Sequence, residues 1–137
     1  LDLTKPNDWR YGSPRRVRFG FYGDSPAQNM FEGGWLLVAG ELGWNDREWH
    51  QLVATFQNAN SGSEDGRAVL YIDGRPRATM TGYRHTLTWD PDAVSIGLGQ
   101  RYVGSIDELL ILDAALSAGA VESLFNSNQP ASAAWSD

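Results

Sequence analysis

An Asp-Gly pair at positions 73 and 74 lies between two runs of residues with strand character. Residues Ala68–Asp73 lead into the pair, and Arg75–Met80 follow it. A two-residue hairpin turn of the commonest kind needs positive φ at both central positions, and Asp-Gly meets that need better than almost any other pair. The sequence therefore predicts a β-hairpin here, with two antiparallel strands joined by a tight turn.

The rest of the chain has the same all-β texture. Short runs with period-2 alternation are punctuated by Gly, Asn, Asp and Pro, and 15 glycines supply turns. In the strand predicted over Trp49–Gln57, alternation places three apolar side chains on one face: Leu52, Ala54 and Phe56. The remaining predicted strands are Arg15–Tyr22, Trp35–Ala39, Val94–Leu98 and Val103–Asp113.

A single helix is predicted near the C-terminus. Ser117 is a suitable N-cap for residues 118–125, where apolar residues recur at helical spacing. Beyond it the composition shifts to Ser, Asn, Gln, Pro and Ala, so we expect a domain over residues 1–125 and a linker or disordered tail over 126–137. Evenly spaced strands with few helices predict a two-sheet antiparallel sandwich with one short C-terminal helix. A closed barrel is the alternative.

Composition and charge exclude several classes of function. The chain has 11 Lys+Arg against 17 Asp+Glu, a net charge of −6, and so lacks the basic footprint of a nucleic-acid-binding protein. The absence of Cys excludes disulfides and Cys-ligated zinc. Apolar runs such as Leu109–Leu112 are far shorter than the ~20 residues of a membrane-spanning helix. No signal peptide opens the chain, so we expect a mature or excised piece of a larger protein.

Three segments, taken in order, resemble a known family. Residues Glu48–Phe56 resemble the tryptophan–histidine strand of laminin G-like domains, and Ala68–Pro76 resemble their Leu-Tyr-Val-Asp-Gly hairpin. The closing strands and short helix of such domains are resembled by Ser95–Gly99, Val103–Leu109 and Ala115–Ser117. By this resemblance the chain is identified as a laminin G-like domain of the concanavalin A-like lectin/glucanase superfamily.

The resemblance implies a jelly-roll sandwich of two curved antiparallel sheets. It also implies a secreted or cell-surface module that binds carbohydrate or protein, so we expect an extracellular, cell-surface or periplasmic location. The opening strand of such domains is either missing here or survives as Leu1–Thr4. In related domains the acid at the position of Asp107 sometimes joins main-chain carbonyls of that strand in a structural calcium site. Asp107 is therefore the metal candidate by resemblance, and the polar loop Asn58–Gly66 is a second place with oxygen ligands.

Catalysis is not expected. A retaining glycosidase needs two carboxyl groups ~5–5.5 Å apart. In a strand, Asp107 and Glu108 would face opposite sides, and Asp107 and Asp113 would lie on the order of 20 Å apart. No Gly-x-Ser-x-Gly motif accompanies the serines, and His50 is interpreted as a packed histidine with one satisfied nitrogen.

Sugar binding calls for exposed aromatic faces with polar groups beside them. Three aromatic residues in turn-rich surroundings are the ligand candidates: Trp44, Trp89 and Tyr102. Trp35 and Trp49 are interpreted as structural: Trp35 heads a core strand, and the resemblance implies that Trp49 packs at a strand start.

A different feature predicts an interface. Residues 109–112 are apolar at both strand parities, and a strand that is apolar on both faces is usually covered on both. Leu110 and Leu112 are therefore predicted to contact another domain or a partner subunit. The function predicted overall is a non-catalytic, carbohydrate-binding module of a larger exported protein. The alternative is a structural docking domain, with a glycan hydrolase a distant third.

Overall fold

The computed structural model describes residues 2–3, 17–19, 37–39, 48–58, 61–83, 92 and 104–127. The first three strands are β1 (Asp2–Leu3), β2 (Val17–Phe19) and β3 (Leu37–Ala39). They are followed by β4 (Leu52–Gln57), β5 (Gly66–Ile72), β6 (Arg75–Tyr83) and the helix α1 (Ala118–Asn126). The strands form two three-stranded antiparallel sheets, β1-β2-β3 and β4-β5-β6, in which strands adjacent in the chain are adjacent in space.

The Asp73–Gly74 turn joins β5 to β6 as the sequence predicts. Asp73 has φ 51° and Gly74 has φ 74°, and the flanking residues Ile72 and Arg75 are directly paired. Gly74 is required for a second reason, because a Cβ added there would lie 3.1 Å from the Cβ of Phe125 in α1. The hairpin is therefore confirmed, and its turn packs against the helix.

One face of the β4-β5-β6 sheet is apolar. Directly paired residues of antiparallel strands share a face, and the register pairs Leu52 with Ile72, Ala54 with Leu70 and Phe56 with Ala68. Apart from Arg75 at the turn, the paired side chains on this face are apolar: Leu52, Ala54, Phe56, Ala68, Leu70, Ile72, Ala78 and Met80. The predicted grouping of the β4 side chains is confirmed.

The opposite face of the same sheet is covered by the helix over part of its area. Val69 and Tyr71 of β5 are buried with Val121 of α1, and Val53 and Leu116 pack against them. Because the β5 residues of the other face are buried too, β5 is covered on both sides. This double coverage accounts for its nearly unbroken apolar run, Ala68–Ile72.

Helix α1 begins where the capping signal predicts. Ser117 has an extended backbone, and its Oγ accepts a hydrogen bond from the Ala120 N–H at 3.2 Å. This bond satisfies one of the amide donors that the first turn of a helix leaves without a backbone partner. The helix runs through Asn126, one residue further than predicted.

The predicted strand Val103–Asp113 is wrong over its described part, residues 104–113, which form no strand. Glu108 has φ 54°, a left-handed conformation that a β-strand does not contain. The Asp107 Oδ1 accepts a hydrogen bond from the Glu108 N–H at 2.9 Å, and such local bonds compete with strand pairing. The argument that Asp107 and Glu108 face opposite sides of a strand therefore does not apply.

The N-terminal part contributes the other sheet. Asp2 and Leu3 pair with Arg18 and Val17, so the opening residues do form a strand. The predicted strands Arg15–Tyr22 and Trp35–Ala39 are confirmed in their described parts, whereas Val94–Leu98 lies outside the described residues. β3 lies close to β5 and β6, which brings the two sheets together. The jelly-roll connection of these sheets stays a prediction.

Candidate functional site

The entrance to β4 is tied to the β5–β6 turn through Asp73. His50 Nδ1 donates to Asp73 Oδ2 at 2.9 Å, and the Gln51 N–H donates to Asp73 Oδ1 at 3.0 Å. The Asp73 N–H donates in turn to the Gln51 carbonyl at 3.0 Å. Both side chains are partly buried, 18% of His50 and 28% of Asp73 being exposed. We call this set of bonds the Asp73 clamp.

The clamp indicates which ring nitrogen of His50 carries the proton in this hydrogen bond. An ionised carboxylate only accepts hydrogen bonds, so the proton between the two groups is on Nδ1. The interpretation of His50 as a packed histidine with a satisfied nitrogen is confirmed for Nδ1. Asp73 was predicted only as a turn residue. Its partnership with His50, which lies 23 residues earlier in the chain, is a tertiary feature.

Trp49 lies immediately before the clamp and is not packed. Its side chain is 69% exposed, so the prediction that it packs at a strand start is wrong. The physical reason is that β4 begins at Leu52, which leaves Trp49 outside the hydrogen-bonded ladder. The adjacent charged pair Arg47-Glu48 is the sequence signal that points to a surface position.

The structure does not describe the three aromatic residues that are predicted to bind sugar. Trp44, Trp89 and Tyr102 all lie outside the described residues. Their role as ligand-binding residues stays a prediction.

The metal candidate Asp107 is exposed, with one carboxylate oxygen accepting from the next amide. Among the described residues, no group of three or more His, Cys, Asp or Glu side chains is arranged to hold a metal ion. Calcium also takes main-chain carbonyl ligands. Calcium binding at Asp107 is therefore still a prediction.

The polar loop between β4 and β5 forms hydrogen bonds within itself. Ser61 Oγ donates to Asp65 Oδ1, and Asn58 Nδ2 donates to the Asp65 carbonyl at 3.1 Å. The Ser63 N–H donates to Ser61 Oγ at 3.1 Å. These contacts are those of a hydrogen-bonded hairpin loop, in which Asn, Ser and Asp stabilise a turn.

A polar row crosses the part of the sheet that α1 leaves open. Gln57, Arg67 and Thr81 are paired across β4, β5 and β6, and all three are exposed. Arg67 Nη1 donates to Gln57 Oε1 at 3.4 Å. Sequence reasoning did not single out these residues, although the strand alternation that predicts the apolar face also assigns them to the opposite one.

One of the two predicted interface residues, Leu110, lies in a run of exposed apolar side chains, Leu109–Ile111, which we call the apolar segment. Leu110 is 39% exposed and Leu109 60%, and Ile106 and Ile111 are exposed as well. Leu112, which follows the segment, is half-buried. A contact between Leu110 or Leu112 and another domain or subunit stays a prediction.

These features define an all-β domain. It has two antiparallel sheets, a tight hairpin and a helix packed over one sheet, and its polar groups include the Asp73 clamp and the polar row. The chain belongs to the concanavalin A-like lectin/glucanases superfamily, because the family model with that description, Laminin_G_3, matches residues 8–122. Proteins of this superfamily are β-sandwiches. The laminin G-like resemblance is confirmed, and the match extends well before Glu48, where the resembling motifs begin.

Similarity to a solved structure was also found. The crystal structure of an S-layer domain-containing protein (residues 221–444) from Clostridium thermocellum ATCC 27405 aligns with a TM-score of 0.49 and 19% sequence identity. The alignment covers 83% of this chain and 53% of that one, so this chain spans about half the length of that structure. No curated protein is similar enough to count as a match. Within the described residues, no helix is long and apolar enough to cross a membrane.

Proposed function

We propose that this domain is a non-catalytic module that binds carbohydrate, within a larger exported protein. The observation that carries the proposal is the family match over residues 8–122, since lectins and glucanases both recognise glycans. A module of this kind acts at an extracellular, cell-surface or periplasmic location.

Within the part of the chain that the structure describes, the distribution of carboxylates favours binding over hydrolysis. Glycosidases use a pair of carboxyl groups held on the two sides of the scissile bond, and alternate positions of a strand place such a pair on one face. Strands β4, β5 and β6 carry no Asp or Glu. Asp107, Glu108 and Asp113 lie instead in an exposed segment without strand structure.

A glycan array tests the proposal. The folded chain is applied with calcium and again with a chelator, and its cooperative thermal unfolding is checked under both conditions. Binding to a defined set of glycans supports the proposal, and loss of binding with the chelator adds a calcium requirement. A folded sample that binds no glycan under either condition overturns it, and release of reducing sugar from a bound glycan overturns the non-catalytic part.

A docking function is the second candidate, and the apolar segment favours it. Contiguous exposed apolar side chains are typical of protein interaction sites, and Leu109, Leu110 and Ile111 are consecutive and exposed. Sedimentation of the wild-type chain and of Leu110→Asp, with Glu122→Ala as the surface control, tests self-association through this segment. Equal sedimentation coefficients for all three across the concentration range contradict self-association there.

A further inference from the structure

The exposed indole of Trp49 is the observation from which a ligand site can be argued. Tryptophan is on average among the most buried residues because its side chain carries a large apolar area. Trp49 nevertheless exposes 69% of its surface. Because exposing so much apolar surface to water is unfavourable, this indole is suited to contact a ligand with an apolar face.

The backbone that follows Trp49 is held by hydrogen bonds. The next two residues, His50 and Gln51, are bonded to Asp73 through three hydrogen bonds, two to its carboxylate and one from its amide. Asp73 is itself held in a two-residue turn whose Gly74 contacts Phe125. Because the neighbouring backbone is already held, the chain loses less conformational entropy when a ligand stacks here than it would in a mobile loop.

Polar groups lie at the same end of the sheet. Glu48 precedes the indole and is exposed. Arg75 is exposed and lies in register with Ile72, which pairs with Leu52 at the beginning of β4. Pyranose rings present an apolar face of C–H groups bordered by hydroxyls, which matches an aromatic plane with hydrogen-bonding groups near its rim.

We propose that Trp49 is the stacking platform for a pyranose ring of a neutral glycan. This inference rests on the proposed carbohydrate-binding function and deepens it by naming the residue and the substrate class. A neutral glycan is favoured over a sulfated or uronic one because the chain carries a net charge of −6, which repels anions over its surface.

Indole NMR signals provide a direct test. The chain has six tryptophans, and Trp49→Phe assigns the Trp49 Nε1–H resonance by its disappearance. Neutral tetrasaccharides of β-linked glucose, galactose, mannose and N-acetylglucosamine, together with heparin and polygalacturonate fragments, are titrated into the wild-type chain. The expected result is that a neutral glycan shifts the Trp49 resonance.

Matched variants separate stacking from folding. Trp49→Ala is expected to weaken binding of that glycan about tenfold or more, and Trp49→Tyr is expected to weaken it less, since a phenol ring still stacks. Leu109→Ala, which removes another exposed apolar side chain, is expected to leave affinity unchanged. If Trp49→Ala does not fold, the resonance shift and the glycan affinity of Trp49→Tyr test whether Trp49 stacks on the glycan.

The outcomes distinguish this inference from the proposed function. Glycan binding that leaves the Trp49 resonance in place, or that a folded Trp49→Ala retains in full, overturns the inference and leaves the function standing. If only the anionic fragments shift the Trp49 resonance, the proposal that the ligand is a neutral glycan is overturned. Absence of binding to any glycan by the folded wild-type chain overturns both.

Discussion

Asp73 accepts a hydrogen bond from His50 Nδ1 at 2.9 Å and so joins the β5–β6 turn to the chain that enters β4. The same carboxylate accepts from the Gln51 amide at 3.0 Å. The side chain of this turn residue therefore satisfies an amide at the entrance of β4 and orients a histidine. It also anchors the residues that follow the exposed indole of Trp49.

Replacing Asp73 is expected to destabilise the domain. Asp73→Ala leaves His50 Nδ1 and the Gln51 N–H without their acceptor in a partly buried place, which costs about 1–3 kcal/mol of unfolding free energy. Asp73→Asn keeps a carbonyl oxygen for one of these bonds and tolerates positive φ, so it should cost less. Urea denaturation of the three proteins measures the difference, and equal stability of Asp73→Ala and wild type contradicts the role of the clamp.

Gly74→Ala is expected to destabilise more than Gly62→Ala. Both glycines have positive φ, 74° and 78°, so an added Cβ costs each about 1–2 kcal/mol. At Gly74 the new Cβ would also lie 3.1 Å from Phe125 Cβ, whereas at Gly62 nothing lies within 4 Å. The difference between their melting temperatures reports the packing of the turn on α1. Identical losses would show that the helix does not restrain the turn.

Val121→Ala is expected to loosen the helix from the sheet. Val121 is the buried residue of α1 and packs with Val69 and Tyr71. Removing its two methyl groups should lower the unfolding free energy by about 1.5–3 kcal/mol. The exposed neighbour Glu122→Ala serves as the control, with a change within about 0.5 kcal/mol. Chemical denaturation measures the unfolding free energy of both variants. Equal values would show that the helix does not unfold cooperatively with the sheet.

Asp107→Asn is expected to abolish calcium binding at the site that the family resemblance implies. The amide keeps the shape of the side chain but removes the charge that a hard cation prefers. Asp113→Asn, at another exposed carboxylate six residues further along the chain, is the matched control and should bind as wild type does. Isothermal titration of chelator-treated protein with calcium measures both. Equal calcium affinity in Asp107→Asn and wild type would exclude Asp107 as a ligand.

Features that depend on neighbouring residues in the chain were predictable. The Asp73–Gly74 turn, the Ser117 cap and the shared face of Leu52, Ala54 and Phe56 all agree with the structure. Each follows from backbone conformation or from strand periodicity over a few residues. The sequence also carried the family resemblance, which the match over residues 8–122 confirms.

Features that depend on distant packing were predicted wrongly or not at all. The apolar residues around Leu109–Leu112 suit a buried strand, yet residues 104–113 form no strand and Glu108 adopts a left-handed conformation. A strand exists only where a second strand supplies hydrogen-bond partners, and an apolar run alone does not provide them. The family position of Trp49 predicts packing at a strand start, whereas the structure begins the ladder three residues later, at Leu52.

The antiparallel β character, the tight hairpin, the helix start and the superfamily can therefore all be inferred from the amino-acid sequence. These properties are set by local dihedral preferences, by side-chain alternation and by motif order. Which side chains meet and which face water is seen only in the folded chain: His50 lies against Asp73, Gly74 lies beside Phe125, and Trp49 is in solvent. Contacts between residues far apart in the chain depend on how all elements pack at once, and no short stretch of sequence encodes that arrangement.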